Sequence, residues 1–177
     1  MGSLTSLLPS LAPRLGLTPA ALYERQRLLV RLKLLQKPIG RGRGSGADAS
    51  AETVAWVLLA VLVADNLSDI GGRLKIFANG KIGAARGPFK KGCTLIDALR
   101  AILDRPEIAS KISVFIVNRQ INTALIGWMV GETPNIENEY VSFGESNEPK
   151  QFPDVLVRAS ITSDLLREIA NKLHDGE

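Results

Sequence analysis

The chain has 177 residues, 45% apolar and 23% charged, which suits one large or two small globular domains with a buried core. A single cysteine, Cys93, excludes an internal disulfide framework, and a single histidine, His174, excludes both a zinc site and a histidine-based catalytic pair. The net charge of +4 conceals a division: residues 1–92 hold 14 basic and 5 acidic side chains, a balance of +9, whereas residues 93–177 hold 8 and 13, a balance of −5, so one half suits a polyanion and the other a different partner.

In chain order, Leu7, Leu8, Leu11 and Leu15 recur at helical spacing and predict a short helix over 7–15, with Pro9 in its first turn and Pro13 shortening it. Gly16 supplies a turn. Thr18 is a good N-cap and Pro19 fits the first helical position, where its missing N–H costs nothing. A long second helix then runs to about residue 35, with Leu22, Leu29, Val30 and Leu32 apolar and Arg25, Arg27, Arg31 and Lys33 on its other surfaces. Residues 36–50 form a Gly-rich basic loop, after which Ser50 caps a third helix whose apolar residues run nearly all round, so that it is buried on most sides. The apolar run 54–64 in that helix is eleven residues, well short of the ~20 that a bilayer requires, and it lies too far inside the chain to be a secretory signal; a cytoplasmic protein without a membrane span is expected.

Residues 65–92 predict a short helix over 68–77 and then irregular chain bearing Lys81, Arg86, Lys90 and Lys91. That basic stretch could touch phosphate, although a solvated loop is the plainer reading. Thr94 caps a helix over 95–103 that Pro106 ends. From Lys111 the period becomes strand-like: strands are predicted over 113–117, 121–130, 139–143 and 154–161, with a turn at Asn118 and Arg119, and Thr162 or Ser163 caps a last helix to Leu173. The fold class is therefore α+β: a helical head over 1–66, then an antiparallel α+β domain over 67–177 for oligomerisation or partner binding.

The stretch 8–26, LPSLAPRLGLTPAALYERQ, resembles the helix-turn-helix signature, with Ala12, Gly16 and Leu22 at its small, turn and aliphatic positions. Arg25 stands where that pattern usually has a second aliphatic residue, which shifts packing to Leu22 and Leu29. The wider stretch 18–62 is similar to the head of MerR-type winged-helix regulators: Leu22, Tyr23, Glu24 and Arg25 match a Leu-Tyr-Tyr-Glu-Arg-like segment, Leu34 and Leu35 the Leu-Leu pair, and residues 37–46 a basic wing. The Gly40-Arg41-Gly42-Arg43-Gly44 run also resembles the core of AT-hook segments, which lay arginines along a narrow A·T minor groove. The resemblance implies a winged helix-turn-helix that binds double-stranded DNA through Thr18, Tyr23, Arg25, Arg27, Arg31, Lys37, Arg41 and Arg43. Its arginines are long enough to reach guanine edges or phosphate.

Little points to catalysis. Glu132, Glu137, Glu139, Glu145 and Glu148 fall in segments rich in Pro, Asn and Gly, where carboxylates face solvent. Cys93 follows Lys90 and Lys91 and begins a helix, an environment that lowers a thiol's pKa, but it has no histidine partner. No enzyme, cofactor or metal is expected. The expectation is a homodimeric bacterial or phage transcription regulator, with a protein partner accommodated by the acidic half. The alternatives are a phage DNA-packaging subunit, and an adaptor or anti-activator whose helical head fits a protein groove.

Overall fold

The computed structural model describes residues 3–36, 47–131, 137–144 and 157–174. Helix α1 (Leu4–Leu11) starts from Ser3, whose hydroxyl accepts from the Ser6 N–H, and is followed by a 3₁₀ turn over Pro13–Leu15. Helix α2 (Pro19–Arg31) starts from Thr18. Helix α3 (Ala51–Val63) begins with a reciprocal capping box between Ser50 and Thr53. Then come α4 (Leu67–Ala78), α5 (Leu95–Leu103) and the short α6 (Pro106–Ala109). Strands β1 (Ile112–Asn118), β2 (Thr123–Val130), β3 (Glu137–Phe143) and β4 (Arg158–Thr162) precede α7 (Ser163–His174).

The strands form one antiparallel sheet in the order β3-β2-β1-β4. The alternation of β1 and β2 turns Phe115, Val117, Ala124, Ile126 and Trp128 to one buried face, joined there by Val141 and Phe143 of β3 and Ile161 of β4. Helix α7 packs on β1 and β4 through a stripe of Leu165, Leu166, Ile169 and Ala170. Ser113 is the extra residue of a bulge, since Ile112 pairs with Trp128 and Val114 with the adjacent Gly127.

Helix α3 is the hub. It packs on α2, α4, α5 and β4, with Val54, Ala55, Val57, Leu58, Leu59, Ala60, Leu62 and Val63 all buried. The buried side chains of α1 and α2 belong to the same hydrophobic cluster as those of the sheet and α7, so the core runs without a break past residue 66. An ion pair between Arg14 and Glu168 ties the turn after α1 to α7.

Two helix ends differ from the periodicity. Helix α1 begins at Leu4, not Leu7, which puts Pro9 inside it. A proline has no N–H to give the carbonyl four residues back, so Thr5 would lose its helical donor; the Tyr23 hydroxyl donates to that carbonyl at 3.0 Å instead. Helix α2 stops at Arg31, four residues short of expectation, because Lys33 takes a left-handed conformation at φ +60°. The Lys33 N–H then bonds to Val30 O at 3.0 Å and the Leu34 N–H to Leu29 O at 3.0 Å, the Schellman arrangement that usually employs glycine. Lys33→Gly should remove the steric cost of that conformation and raise stability by about 0.5–1 kcal/mol, seen as a higher urea midpoint at unchanged slope. An unchanged or lower midpoint would mean that the left-handed residue is not strained.

Candidate nucleic-acid interface

The segment between α1 and α2 is built from local rules. Gly16 sits at φ +68°, and the Leu17 N–H reaches back to Ala12 O at 2.9 Å, which reverses the chain within a few residues. The Thr18 hydroxyl then accepts from the Ala21 N–H at 3.2 Å, and Pro19 opens α2. Thr18 therefore occupies the N-cap that the sequence gives it, and it is exposed.

Helix α2 has two contrasting faces. Leu22, Arg25, Gln26 and Leu29, spaced i, i+3, i+4 and i+7, form the buried stripe. Ala20, Glu24, Arg27 and Arg31 line the opposite, accessible side. The Arg27 side chain is 72% exposed and meets Glu24 at 2.7 Å. Arg31 is exposed and forms no ion pair among the described residues. The free charge of this face therefore lies toward the C-terminal end of α2. Glu24 has no place among the expected contacts, yet its spacing from Arg27 and Ala20 puts it there; a carboxylate in a groove can accept from a cytosine amino group and repels phosphate.

Arg25 does not lie on that face, contrary to the expectation that it would reach DNA. It is 5% exposed, and its guanidinium donates to Asp65 O at 2.7 Å and to Ala21 O at 3.3 Å, while Nε is buried without a partner. Burial lowers its pKa, Asp65 raises it and nearby Arg119 lowers it. The same spacing that puts Leu22 and Leu29 in the core puts position 25 between them. Tyr23 is half-buried with its hydroxyl engaged on Thr5, so only part of its ring is available to a ligand.

Lys37, Arg41 and Arg43, with the whole wing over 37–46, lie outside the described residues. Where the described chain resumes, the Leu4 N–H donates to Ala47 O at 2.8 Å and Ser3 bridges Asp48, so residues 47 and 48 lie beside the start of α1.

Other candidate chemistry is sparse. The Cys93 thiol is pushed up, not down: burial and Asp97 disfavour the thiolate and outweigh Arg100. His174 Nε2 donates to the Asp104 carbonyl at 2.9 Å. Among the described residues no three His, Cys, Asp or Glu side chains converge to hold a metal ion, and no single helix is long and apolar enough to cross a membrane. No family model matches the chain, and no curated protein or solved structure is significantly similar to it.

Proposed function

We propose that this chain binds double-stranded DNA through the exposed face of α2, as a winged helix-turn-helix regulator of transcription that acts as a homodimer. The observation that carries the reading is the form of the first two helices: a left-handed Gly16, a Thr18-capped second helix anchored by Leu22 and Leu29, and an accessible line of Ala20, Arg27 and Arg31. In such a motif the second helix enters the major groove, and small residues near its N-terminus let the backbone approach the bases. Ala20 is the exposed small residue there. Arg27 and Arg31 then supply a guanine contact or a phosphate clamp, and a dimer sets two such helices about one turn of the duplex apart. The wing supplies sequence-tolerant contacts through Arg41 and Arg43.

The test compares a duplex selected from random DNA with a scrambled one at fixed salt. Arg27→Ala or Arg31→Ala should narrow the gap between the two by about 1–3 kcal/mol if the residue reads a base. Changing Arg41 and Arg43 together to alanine should weaken both duplexes alike. Affinity should also fall steeply with salt, by roughly one log unit in K per log unit of salt for each phosphate neutralised. A flat salt response, or discrimination that survives loss of both Arg27 and Arg31, would overturn the reading.

A further inference from the structure

Between α4 and α5 the chain has no helix or strand, as its composition suggests, yet it is held by its own backbone hydrogen bonds. The Leu95 N–H donates to Gly80 O at 2.9 Å, Ile82 N–H to Cys93 O at 3.1 Å, and Gly92 N–H to Ile82 O at 3.2 Å. Arg86 and Phe89 exchange both backbone bonds at 3.0 Å. Residues 80–95 thus form a hydrogen-bonded knuckle. Its apolar anchors point inward: Ile82 and Phe89 are buried, and the Phe89 ring stands edge-on to Trp128 at 6.0 Å and to Phe143 at 6.1 Å. Gly87 lies flat against the Trp128 indole.

What the knuckle presents outward is charge of one sign. Lys81, Arg86, Lys90 and Lys91 are all exposed, and none forms an ion pair among the described residues. No Asp or Glu occurs anywhere in residues 70–96. No large apolar side chain of the knuckle is exposed, so it has nothing to insert into a lipid surface or a protein groove. Because the backbone is already fixed, binding orders only the cationic side chains and not the loop.

We infer that this knuckle is a second DNA-contacting surface, which grips the phosphodiester backbone of a duplex without reading its sequence. The inference rests on the proposed DNA binding by α2 and extends it into the C-terminal half. Three of the four cations are lysines, point charges that suit phosphate, and residues 80–95 hold no amide side chain and no exposed aromatic one, which fits positioning and not recognition.

The experiment uses the full chain and three proteins: wild type, a head variant (Arg27→Ala with Arg31→Ala) and a knuckle variant (Lys81→Ala, Arg86→Ala, Lys90→Ala and Lys91→Ala). Each is titrated at several salt concentrations against a 30-base-pair duplex selected by the wild type and against a scrambled duplex. The knuckle variant should bind both duplexes more weakly by the same factor, with the salt slope reduced by about 3.6, the ~0.9 expected per phosphate for each of the four cations. The preference for the selected site should be unchanged. An unchanged slope in the knuckle variant, beside a head variant that loses discrimination, overturns this inference alone. A reduced slope in the knuckle variant, beside a head variant indistinguishable from wild type, supports the knuckle and overturns the role of α2. No duplex binding by the wild type overturns both. If the knuckle variant keeps its DNA slope but dissociates into monomers on a sizing column, the surface meets the acidic half of a second copy and the inference fails. Should the fourfold change impair folding, Lys90→Ala with Lys91→Ala should still lower the slope by roughly half as much.

Discussion

Arg119→Ala should destabilise the protein by about 3 kcal/mol, the scale for removing one partner from a buried charged network. Only 11% of the Arg119 side chain is exposed; it lies in the turn between β1 and β2 and reaches the end of α3. Nε donates to Leu62 O at 2.7 Å, Nη2 to Val61 O at 3.3 Å, and Nη1 pairs with Asp65. These are carbonyls of the last turn of α3, where no helical N–H remains to serve them and where a cation meets the negative end of the helix dipole. The Asp65 carboxylate returns to water when the guanidinium is lost, because its side chain is 77% exposed. The carbonyls beneath it do not, and they carry most of the cost. Arg119→Lys should recover less than half, since one ammonium cannot span three acceptors. Urea unfolding measures both; a loss below about 1 kcal/mol for the alanine variant would mean that water replaces the guanidinium at the helix end.

Gly87→Ala should cost a similar amount, about 3 kcal/mol, for a different reason. Gly87 has φ +54°, a conformation that penalises any Cβ by about 1–2 kcal/mol. A Cβ there would also lie 2.4 Å from the Trp128 indole, which is itself buried against Phe89 and cannot swing away, adding about 1–3 kcal/mol of overpacking. Gly83→Ala is the control, because nothing lies within 4 Å of the added methyl and φ is not positive. The pair should separate in thermal midpoint and in tryptophan fluorescence, only Gly87→Ala changing the Trp128 environment. Equal midpoints would show that the knuckle can lift off the sheet at little cost.

How much of this was legible depended on whether the determining partner was local. Helix α5 was readable to the residue, since Thr94 caps it and its apolar stripe is its own. The cap and the burial of α3 were equally plain. The end of α2 was not, because no glycine marks it and Lys33 adopts the left-handed conformation itself. The start of α1 was hidden for a longer-range reason: Pro9 is tolerable inside a helix only when something replaces its missing donor, and that donor is Tyr23. Arg25 was legible and misread, because its residue type suggested a surface while its spacing from Leu22 and Leu29 specified the core. The existence of the strands followed from alternation, whereas the placement of β4 against β1 rather than β3 did not, since that choice depends on which helices cover the sheet. The basic residues of the knuckle were visible; the bonds that fix it join positions a dozen residues apart and were not.

The central position of α3 also sets an order on synthesis. Residues 51–63 leave the ribosome before α5 or β4 exists, yet α5 and β4 are among the elements that cover them. Until then a helix that is apolar nearly all round has only α2 and α4 to shelter it. The nascent chain therefore carries an exposed sticky segment until α5 has been made, and its cover is completed only when β4 follows, the situation in which chaperones intercept a polypeptide. Helix α7, made later than the sheet, covers β1 and β4 and, through Glu168 on Arg14, is fastened to the turn after α1. The contact between Arg14 and Glu168 thus joins the earliest-made helices to α7 only after the sheet has been laid down between them in the chain.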